Sequence, residues 1–214
     1  YVVRLDAWSN TPAPWINVIA NAQFGFQVSA EGSGYTWADN SRENQLTPWS
    51  NDPVSDPPGE AVYVRDEDSL AMFSPTAQPL RDSGHYEARH GFGYSRFSHQ
   101  ASGIAMQLLQ YVALDDPIKI SRLTLHNLSG RPRRLSVSTY AEWVLGSTRA
   151  ASAAFIVSQR DSSTGALFAK NPWSIAFNQR CAFSDLGGRQ SSWTADRCEF
   201  IGRNGSRSEE RRVG

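Results

Sequence analysis

The sequence lacks the features that define several common classes of protein. It has only two cysteines, Cys181 and Cys198, which is too few for the disulfide framework of a small secreted domain. We expect both to be free thiols in a reducing, cytoplasmic environment. No early stretch has the pattern of a signal peptide. No apolar run approaches the roughly 20 residues that a membrane-spanning helix needs, so we expect no membrane contact by this segment.

The sequence also lacks an excess of charge of either sign. It has 21 basic and 21 acidic residues, so no overall field attracts nucleic acid or an anionic membrane, and we expect neither as a partner. The densest basic run, Arg131 to Arg134, is interpreted as a solvated turn and the start of a strand. The acidic triple Asp66, Glu67 and Asp68 lacks the glycine and ligand spacing of a calcium loop. It is also interpreted as a solvated turn.

Helical periodicity is absent over any window of fifteen residues, and there is no internal repeat. About a dozen short alternating or apolar runs, separated by turn residues, instead indicate strands. The chain of 214 residues is long enough for one large domain. We therefore predict an all-β fold with little helix, a large antiparallel β-sandwich over residues 1–203, followed by a charged connector over 204–214.

Three strand patterns in the middle of the chain give the most detailed expectations. Residues 104–114 are nearly continuously apolar, which predicts a strand covered on both faces. The next run changes phase at Arg122, which predicts a bulge. A four-residue turn then leads to a third strand, so we expect consecutive strands to pair in one large sheet. Further on, residues 147–159 are predicted as a loop or short helix, 174–177 as a short strand, and 196–202 as a strand or helical turn.

Catalytic signatures are weak. Glycoside cleavage needs a carboxylic acid in a pocket that raises its pKa, but the acids here occur mainly in turns, and there is no Gly-x-Ser-x-Gly motif. His85, His90 and Glu87 could serve an aldose-epimerase-like site if they converged in one cleft. They lack a third ligand at a usual metal spacing. We therefore predict no metal, no cofactor and no catalytic residue.

The segment 24–52 carries the strongest candidate for a binding site. Its alternating start and the glycines at 32 and 34 predict a β-hairpin. Trp37, Arg42 and Trp49 then follow among amides and acids. Indole faces and planar hydrogen-bonding groups suit a sugar, which has an apolar face and a rim of hydroxyls. The same side chains could instead pack a long connection, and the sequence leaves both interpretations open.

The motifs FGFQV, GYTW, SRENQLTPWSNDPVSDPPGEA and HGFGYSRF resemble the amino-terminal β-sandwich domain of glycoside-hydrolase family ninety-four, the cellobiose and chitobiose phosphorylases. The likeness runs from about Trp8 to Ser206 and is greatest to cyclic β-1,2-glucan synthases. It implies a galactose-mutarotase-like super-sandwich. It also implies that the general acid belongs to a following (α/α)₆ barrel, outside this chain, where phosphate attacks the anomeric carbon with inversion.

The resemblance further implies an accessory role without turnover by this chain alone. In dimeric phosphorylases of the family a loop of this domain reaches the partner's site, and residues 146–158, with Arg149, match it here. A β-glucan oligosaccharide, a catalytic barrel in the same parent chain and a second copy are therefore the expected partners. The resemblance also leads us to expect a parent protein in the bacterial inner membrane. A free-standing carbohydrate-binding module is the alternative.

Overall fold

The computed structural model describes residues 1–202 of the chain. Within this range the backbone forms fourteen strands and two short helices, with one 3₁₀ turn at Ala153–Phe155. The strands are β1 (Val2–Leu5), β2 (Ile16–Ala20), β3 (Phe24–Ser29), β4 (Gly34–Ala38), β5 (Glu60–Asp66), β6 (Met72–Phe73), β7 (Tyr86–Gly91), β8 (Tyr94–Ala101), β9 (Ile104–Val112), β10 (Lys119–Asn127), β11 (Leu135–Ala141), β12 (Val157–Arg160), β13 (Leu167–Lys170) and β14 (Ala182–Ser184). The helices are α1 (Arg149–Ser152) and α2 (Arg197–Ile201).

The strands form antiparallel sheets that face one another across an apolar core. One sheet has the order β1-β7-β8-β9-β10, and three smaller sheets have the orders β2-β3-β4, β11-β5-β6 and β12-β13-β14. The five-stranded sheet packs against β2-β3-β4 through a core that includes Phe26 and Leu108. It packs against β11-β5-β6 through Val64 and Met106. The prediction of an antiparallel β-sandwich with little helix is confirmed.

The predicted hairpin is present as β3 and β4, paired from Phe24 opposite Ala38 to Val28 opposite Gly34. Two glycines allow its close approaches. Gly32 has φ +100°, in the left-handed region that favours glycine. A Cβ on Gly34 would lie 2.1 Å from the Gln27 carbonyl oxygen, so a larger residue there would force the strands apart.

The strand β9 is covered less evenly than its apolar sequence suggested. Its inward residues Ile104, Met106 and Leu108 are fully buried, whereas the residues between them are half-buried. The other face therefore keeps partial contact with solvent. The predicted bulge at Arg122 is wrong, because β10 pairs with β9 over nine consecutive residues without interruption. The phase change arises because Ile120 lies on the outer face of β10 and Leu123 on the inner face.

The expectation that consecutive strands pair in one sheet is wrong for β10 and β11. The strand β10 pairs with β9, and β11 pairs with β5 in a different sheet. The turn at residues 129–132 therefore carries the chain from one layer of the sandwich to the other. The predicted strand at 174–177 is also wrong. Asn171 and Ser174 use their side chains to accept bonds from the backbone N–H groups of Trp173 and Phe177, which favours turns.

Residues 149–155 form α1 and the 3₁₀ turn, and residues 197–201 form α2. Of the alternatives predicted for 147–159 and 196–202, the helical one is therefore correct in both segments. Cys181 and Cys198 are free and exposed. Within residues 1–202, no helix has the length and apolarity to cross a bilayer. The predicted connector at 204–214 lies outside the described residues.

The interpretation of the acidic and basic runs as wholly solvated turns is wrong for one residue of each. Asp66 is completely buried, and its carboxylate pairs with the guanidinium of Arg133, which is 4% exposed. Arg133 also donates to the Ser102 carbonyl oxygen at 2.7 Å. The backbone N–H of Asp68 and the contact with Arg133 hold the pKa of Asp66 at about 2. Because a buried charge requires partners, this pair fastens the 129–134 turn to the start of the Asp66 loop.

Replacing Arg133 with Met should lower the melting temperature clearly, because the buried Asp66 carboxylate would lose its cation. The Arg134→Met variant is the matched control, since its side chain is 75% exposed and lies 3.8 Å from Asp68, and it should melt near the parent protein. Because the pKa of Asp66 is lower in the folded protein than in the unfolded chain, where it is about 3.9, its ionised carboxylate stabilises the fold above that pH. This stabilisation is lost as the pH falls towards 2.

Thermal scans should therefore show that the difference in melting temperature between the parent protein and Arg133→Met becomes smaller below about pH 4. Equal melting of both variants at pH 7 would contradict this role of Arg133.

Candidate functional site

A cleft in the described part of the chain has a volume of about 740 Å³. It is lined by residues of β4, β5, β9, β10 and β11 and by residues 180–187. A volume of this size is typical of ligand sites. Its chemistry therefore decides which functions it can support.

Glu60 lines this cleft, and three side chains donate hydrogen bonds to its carboxylate. Lys119 Nζ donates to Oε2 at 2.6 Å. The hydroxyls of Thr36 and Thr47 donate to Oε1 at 2.6 and 2.7 Å. Lys119 also lies 4.3 Å above the centre of the Phe26 ring, a cation–π contact. The cluster joins β4, β5 and β10, and therefore ties the two layers of the sandwich together.

The electrostatics of Glu60 are those of a structural ion. Burial alone would raise its pKa, but the charge of Lys119 and the three hydrogen bonds outweigh burial and lower the pKa below its ordinary value. A general acid for glycoside cleavage requires the opposite shift. Glu60 is therefore ionised at neutral pH and unsuited to donate a proton.

Sequence reasoning missed Glu60 and Lys119, although a signal was present. Glu60 alternates with Val62 and Val64, which both pack in the core, so the strand pattern places an acid on the inward face. Lys119 stands opposite Val112, which also packs in the core. One acid and one base at inward positions of two strands predict a buried pair.

The structure brings two of the four predicted sugar-binding residues together. Trp37 and Trp49 both pack on Tyr35, at ring-centre distances of 5.2 and 5.6 Å, and the Tyr35 and Trp49 rings are stacked at 15°. A Cβ on Gly25 would lie 2.6 Å from Trp37 Cζ2, so Trp37 covers the backbone of β3. Trp49 is 50% exposed. Packing therefore accounts for Trp37, whereas Trp49 offers an open indole face.

The two predicted arginines pair with neighbouring acids. The Arg42 side chain is 89% exposed and lies 3.4 Å from Glu43. Arg149 begins α1, and its Nε lies 2.6 Å from a carboxylate oxygen of Glu142. Its charge is therefore already partnered within the chain, while Arg42 remains largely in solvent.

The residues of the aldose-epimerase hypothesis do not converge. His90 is buried on the inner face of β7, where its Nδ1 lies 2.8 Å from Ser95 Oγ, and burial lowers its pKa to about 4. Glu87 lies on the opposite face between Arg4 and Arg89. Among residues 1–202, no three His, Cys, Asp or Glu side chains are grouped to hold a metal ion.

These observations define the class of protein, an antiparallel β-sandwich of several sheets with a salt bridge between Glu60 and Lys119 in its cleft. A comparison with protein families then gives the particular family. The model of the glycosyl hydrolase 94 supersandwich domain matches residues 1–212. The chain belongs to this family.

Curated relatives are much longer proteins. The chain is 48% identical over 206 residues to the cyclic beta-(1,2)-glucan synthase NdvB of Rhizobium meliloti (strain 1021), covering 96% of this chain and 7% of that protein. It is 29% identical over 137 residues to the N,N'-diacetylchitobiose phosphorylase of Vibrio furnissii, covering 63% of this chain and 17% of that enzyme. It is 33% identical over 84 residues to the solabiose phosphorylase of Paenibacillus borealis, covering 39% of this chain and 11% of that enzyme. The chain therefore spans less than a fifth of each of these relatives.

Replacing Lys119 with Met should destabilise the fold by about 3 kcal/mol, the lower end of the cost of breaking a buried ion pair, since the Glu60 side chain keeps 23% exposure. Lys170→Met is the matched control, because Lys170 is exposed on β13, and we expect it to change stability by less than about 0.5 kcal/mol. Urea unfolding of the three proteins measures both values. Similar small losses for both variants would show that the pair does not hold the layers together.

Proposed function

We propose that this chain is an accessory, non-catalytic sandwich domain of a longer β-glucan-processing protein. In this role it packs against a catalytic (α/α)₆ barrel and shapes the approach to its sugar site. The observation that carries the proposal is the bonding of Glu60: the carboxylate of this cleft residue is paired with Lys119 and accepts two threonine hydroxyls. The proton donor is then supplied by another part of the polypeptide.

Asp56, an acid whose pKa is shifted upwards, also fits a structural role. Burial raises the pKa of Asp56, which is the direction that a general acid needs. However, Asp56 is not among the residues that line the cleft. Its carboxylate accepts the Ser29 hydroxyl at 2.6 Å, and its carbonyl accepts that of Ser33. These bonds fasten the 52–59 connection to the β3–β4 hairpin.

The relatives support a part in a larger enzyme. Three of them are a glucan synthase and two phosphorylases, and each is several times longer than its matched region. A free-standing carbohydrate-binding module, the alternative, would act without such a partner domain. A second copy of the parent protein and a cytoplasmic location for this domain remain predictions.

The exposed face of Trp49 is the point at which we propose sugar contact. Its ring is backed by Tyr35, which fixes its orientation, and an immobilised indole can stack on the apolar face of a pyranose at low entropic cost. Arg42 follows β4 in the same polar stretch, and its side chain, which is 89% exposed beside Glu43, can donate to sugar hydroxyls. The ligand proposed is a β-glucan oligosaccharide.

The 214-residue chain should release no sugar phosphate from β-1,2-gluco-oligosaccharides and inorganic phosphate above the level of buffer, because it supplies no proton donor. The full-length parent protein, assayed in parallel, shows whether the substrate is competent. Turnover by the short chain that disappears in its Glu60→Gln variant would overturn the proposal and make Glu60 catalytic.

Titration with β-1,2- and β-1,4-gluco-oligosaccharides should give saturable binding that weakens at least about tenfold, or 1.4 kcal/mol, in Trp49→Ala. Trp8→Ala is the matched control, since Trp8 is 91% exposed, and its binding should be unchanged. Circular dichroism establishes that both variants fold. Equal binding by the parent and Trp49→Ala would rule out this indole as the sugar platform.

A further inference from the structure

The β2-β3-β4 sheet has an outer face that is turned away from the core. Phe26 and Val28 of β3 pack inward, so Gln27 between them lies on the outer face. Strand pairing places Gln27 opposite Val18 of β2 on one side and opposite Tyr35 of β4 on the other. Val18 is 55% exposed, and Gln27 is half-buried. A row of three side chains therefore crosses this face and is open to solvent at its β2 end.

An aromatic cluster lies on the same face beside Gln27. The centre of the Tyr35 ring lies 5.6 Å from that of Trp49 and 5.2 Å from that of Trp37. Trp37 stands opposite Gly25, the next outward residue of β3, and its indole covers the backbone there. Gln27 is therefore the polar side chain of β3 next to the proposed sugar contact at Trp49.

The bonding capacity of Gln27 is unused inside the chain. Among residues 1–202, no hydrogen bond involves its side-chain amide. Other amides of the sandwich are bonded: Asn17 donates to the Gly91 carbonyl oxygen at 3.1 Å, and Asn44 donates to that of Ala38 at 2.9 Å. A side-chain amide has two N–H donors and one oxygen acceptor. All of these are available to a ligand at Gln27.

The outer face is uncharged and lies on the other side of the sheet from the cleft. Thr36, between the outward residues of β4, donates to Glu60 in the cleft, and successive side chains of a strand point to opposite faces. The strands β2, β3 and β4 contain no charged residue. A neutral ligand therefore suits this face better than an ionic one.

A neutral sugar matches both the aromatic and the polar part of this face. The apolar face of a pyranose can stack on the Trp49 indole, and its hydroxyls can exchange hydrogen bonds with the Gln27 amide. An apolar side chain of another protein would cover the same amide without offering it a partner, which is unfavourable.

We propose that Gln27 is a specificity-determining residue of the sugar site, and that the β-glucan oligosaccharide lies across the outer face from Trp49 towards Val18. The distance from β4 to β2 is two strand spacings, about 10 Å, which suits a disaccharide unit better than a single sugar. This inference rests on the proposed function, since Trp49 is the sugar contact in both. It adds the direction of the sugar chain and the residue that bonds to its hydroxyls.

NMR spectra of the nitrogen-15-labelled 214-residue chain, titrated with β-1,2-gluco-oligosaccharides, test this contact directly. The side-chain NH₂ signals of Gln27, assigned by their absence in Gln27→Met, should shift and saturate together with the Trp49 indole N–H signal. The signals of Gln107 should stay unchanged, because it lies between the inward residues Met106 and Leu108, on the outer face of the opposite layer.

Three results of this titration would overturn the inference. A shift of the Trp49 signal alone would remove the role of Gln27 and leave the proposed sugar contact intact. No shift of either signal would contradict both. Shifts that follow protein concentration instead of sugar would assign the face to a second copy of the chain.

Substitution of Gln27 gives a second test. Gln27→Met keeps the length of the side chain and removes its hydrogen-bonding groups, so sugar binding should weaken about three- to tenfold, the usual worth of a neutral hydrogen bond. The melting temperature should not change, because the amide bonds no other described group. Gln107→Met is the matched control, since Gln107 is also half-buried on a strand that is paired on both sides, and it should bind like the parent protein.

The outcomes separate this inference from the proposed function. Parent-like binding by Gln27→Met, with weaker binding by Trp49→Ala, would overturn the role of Gln27 alone. Weaker binding by Gln27→Met together with a lower melting temperature would show that Gln27 supports the fold, and would also overturn the inference. Equal weakening by Gln27→Met and Gln107→Met would contradict a sugar site on this face.

Discussion

The salt bridge between Glu60 and Lys119 is the interaction on which the packing of this domain's two layers depends. It lies where β4, β5 and β10 meet, so the two layers of the sandwich share one buried charge pair. Removing two charges from water is costly, and the hydroxyls of Thr36 and Thr47 and the face of Phe26 offset that cost. The same bonds keep the carboxylate ionised. The contacts that stabilise the Glu60 carboxylate therefore also make it unsuitable as a general acid.

The shape of the cleft follows from how the chain moves between layers. The 129–132 turn carries it from β10 in one sheet to β11 in another, and the buried pair of Asp66 and Arg133 fixes that crossing. Because the two strands lie in different sheets, residues of both, including Leu123 and Val137, line the cleft. The cleft is thus a consequence of this change of layer.

The sequence was sufficient for the strands but not for their arrangement. Alternation with period two identified the hairpin and most strand positions, and long motifs identified the family. Pairing partners depend on contacts between distant residues, which is why β10 and β11 were assigned to one sheet. Burial of Asp66 was missed for a related reason, since an acid beside a turn is usually solvated and its partner Arg133 is distant in sequence. Burial of Glu60 was missed although its inward position in the strand pattern indicated it. For the candidate site, the structure places Trp37 and Trp49 on the same side chain, Tyr35, and Arg149 beside Glu142. Sugar binding by these residues stays a prediction.

We propose that this domain contributes shape and contact surface, and that Glu60, the acid bound to Lys119 in its cleft, is not a proton donor. The most direct measurement is a carbon-13 NMR titration of the Glu60 side-chain carboxyl in the 214-residue protein. The account predicts a midpoint below that of an ordinary glutamate, with the carboxylate fully ionised at neutral pH. A midpoint raised towards neutrality, with the proton retained on Glu60, would contradict it.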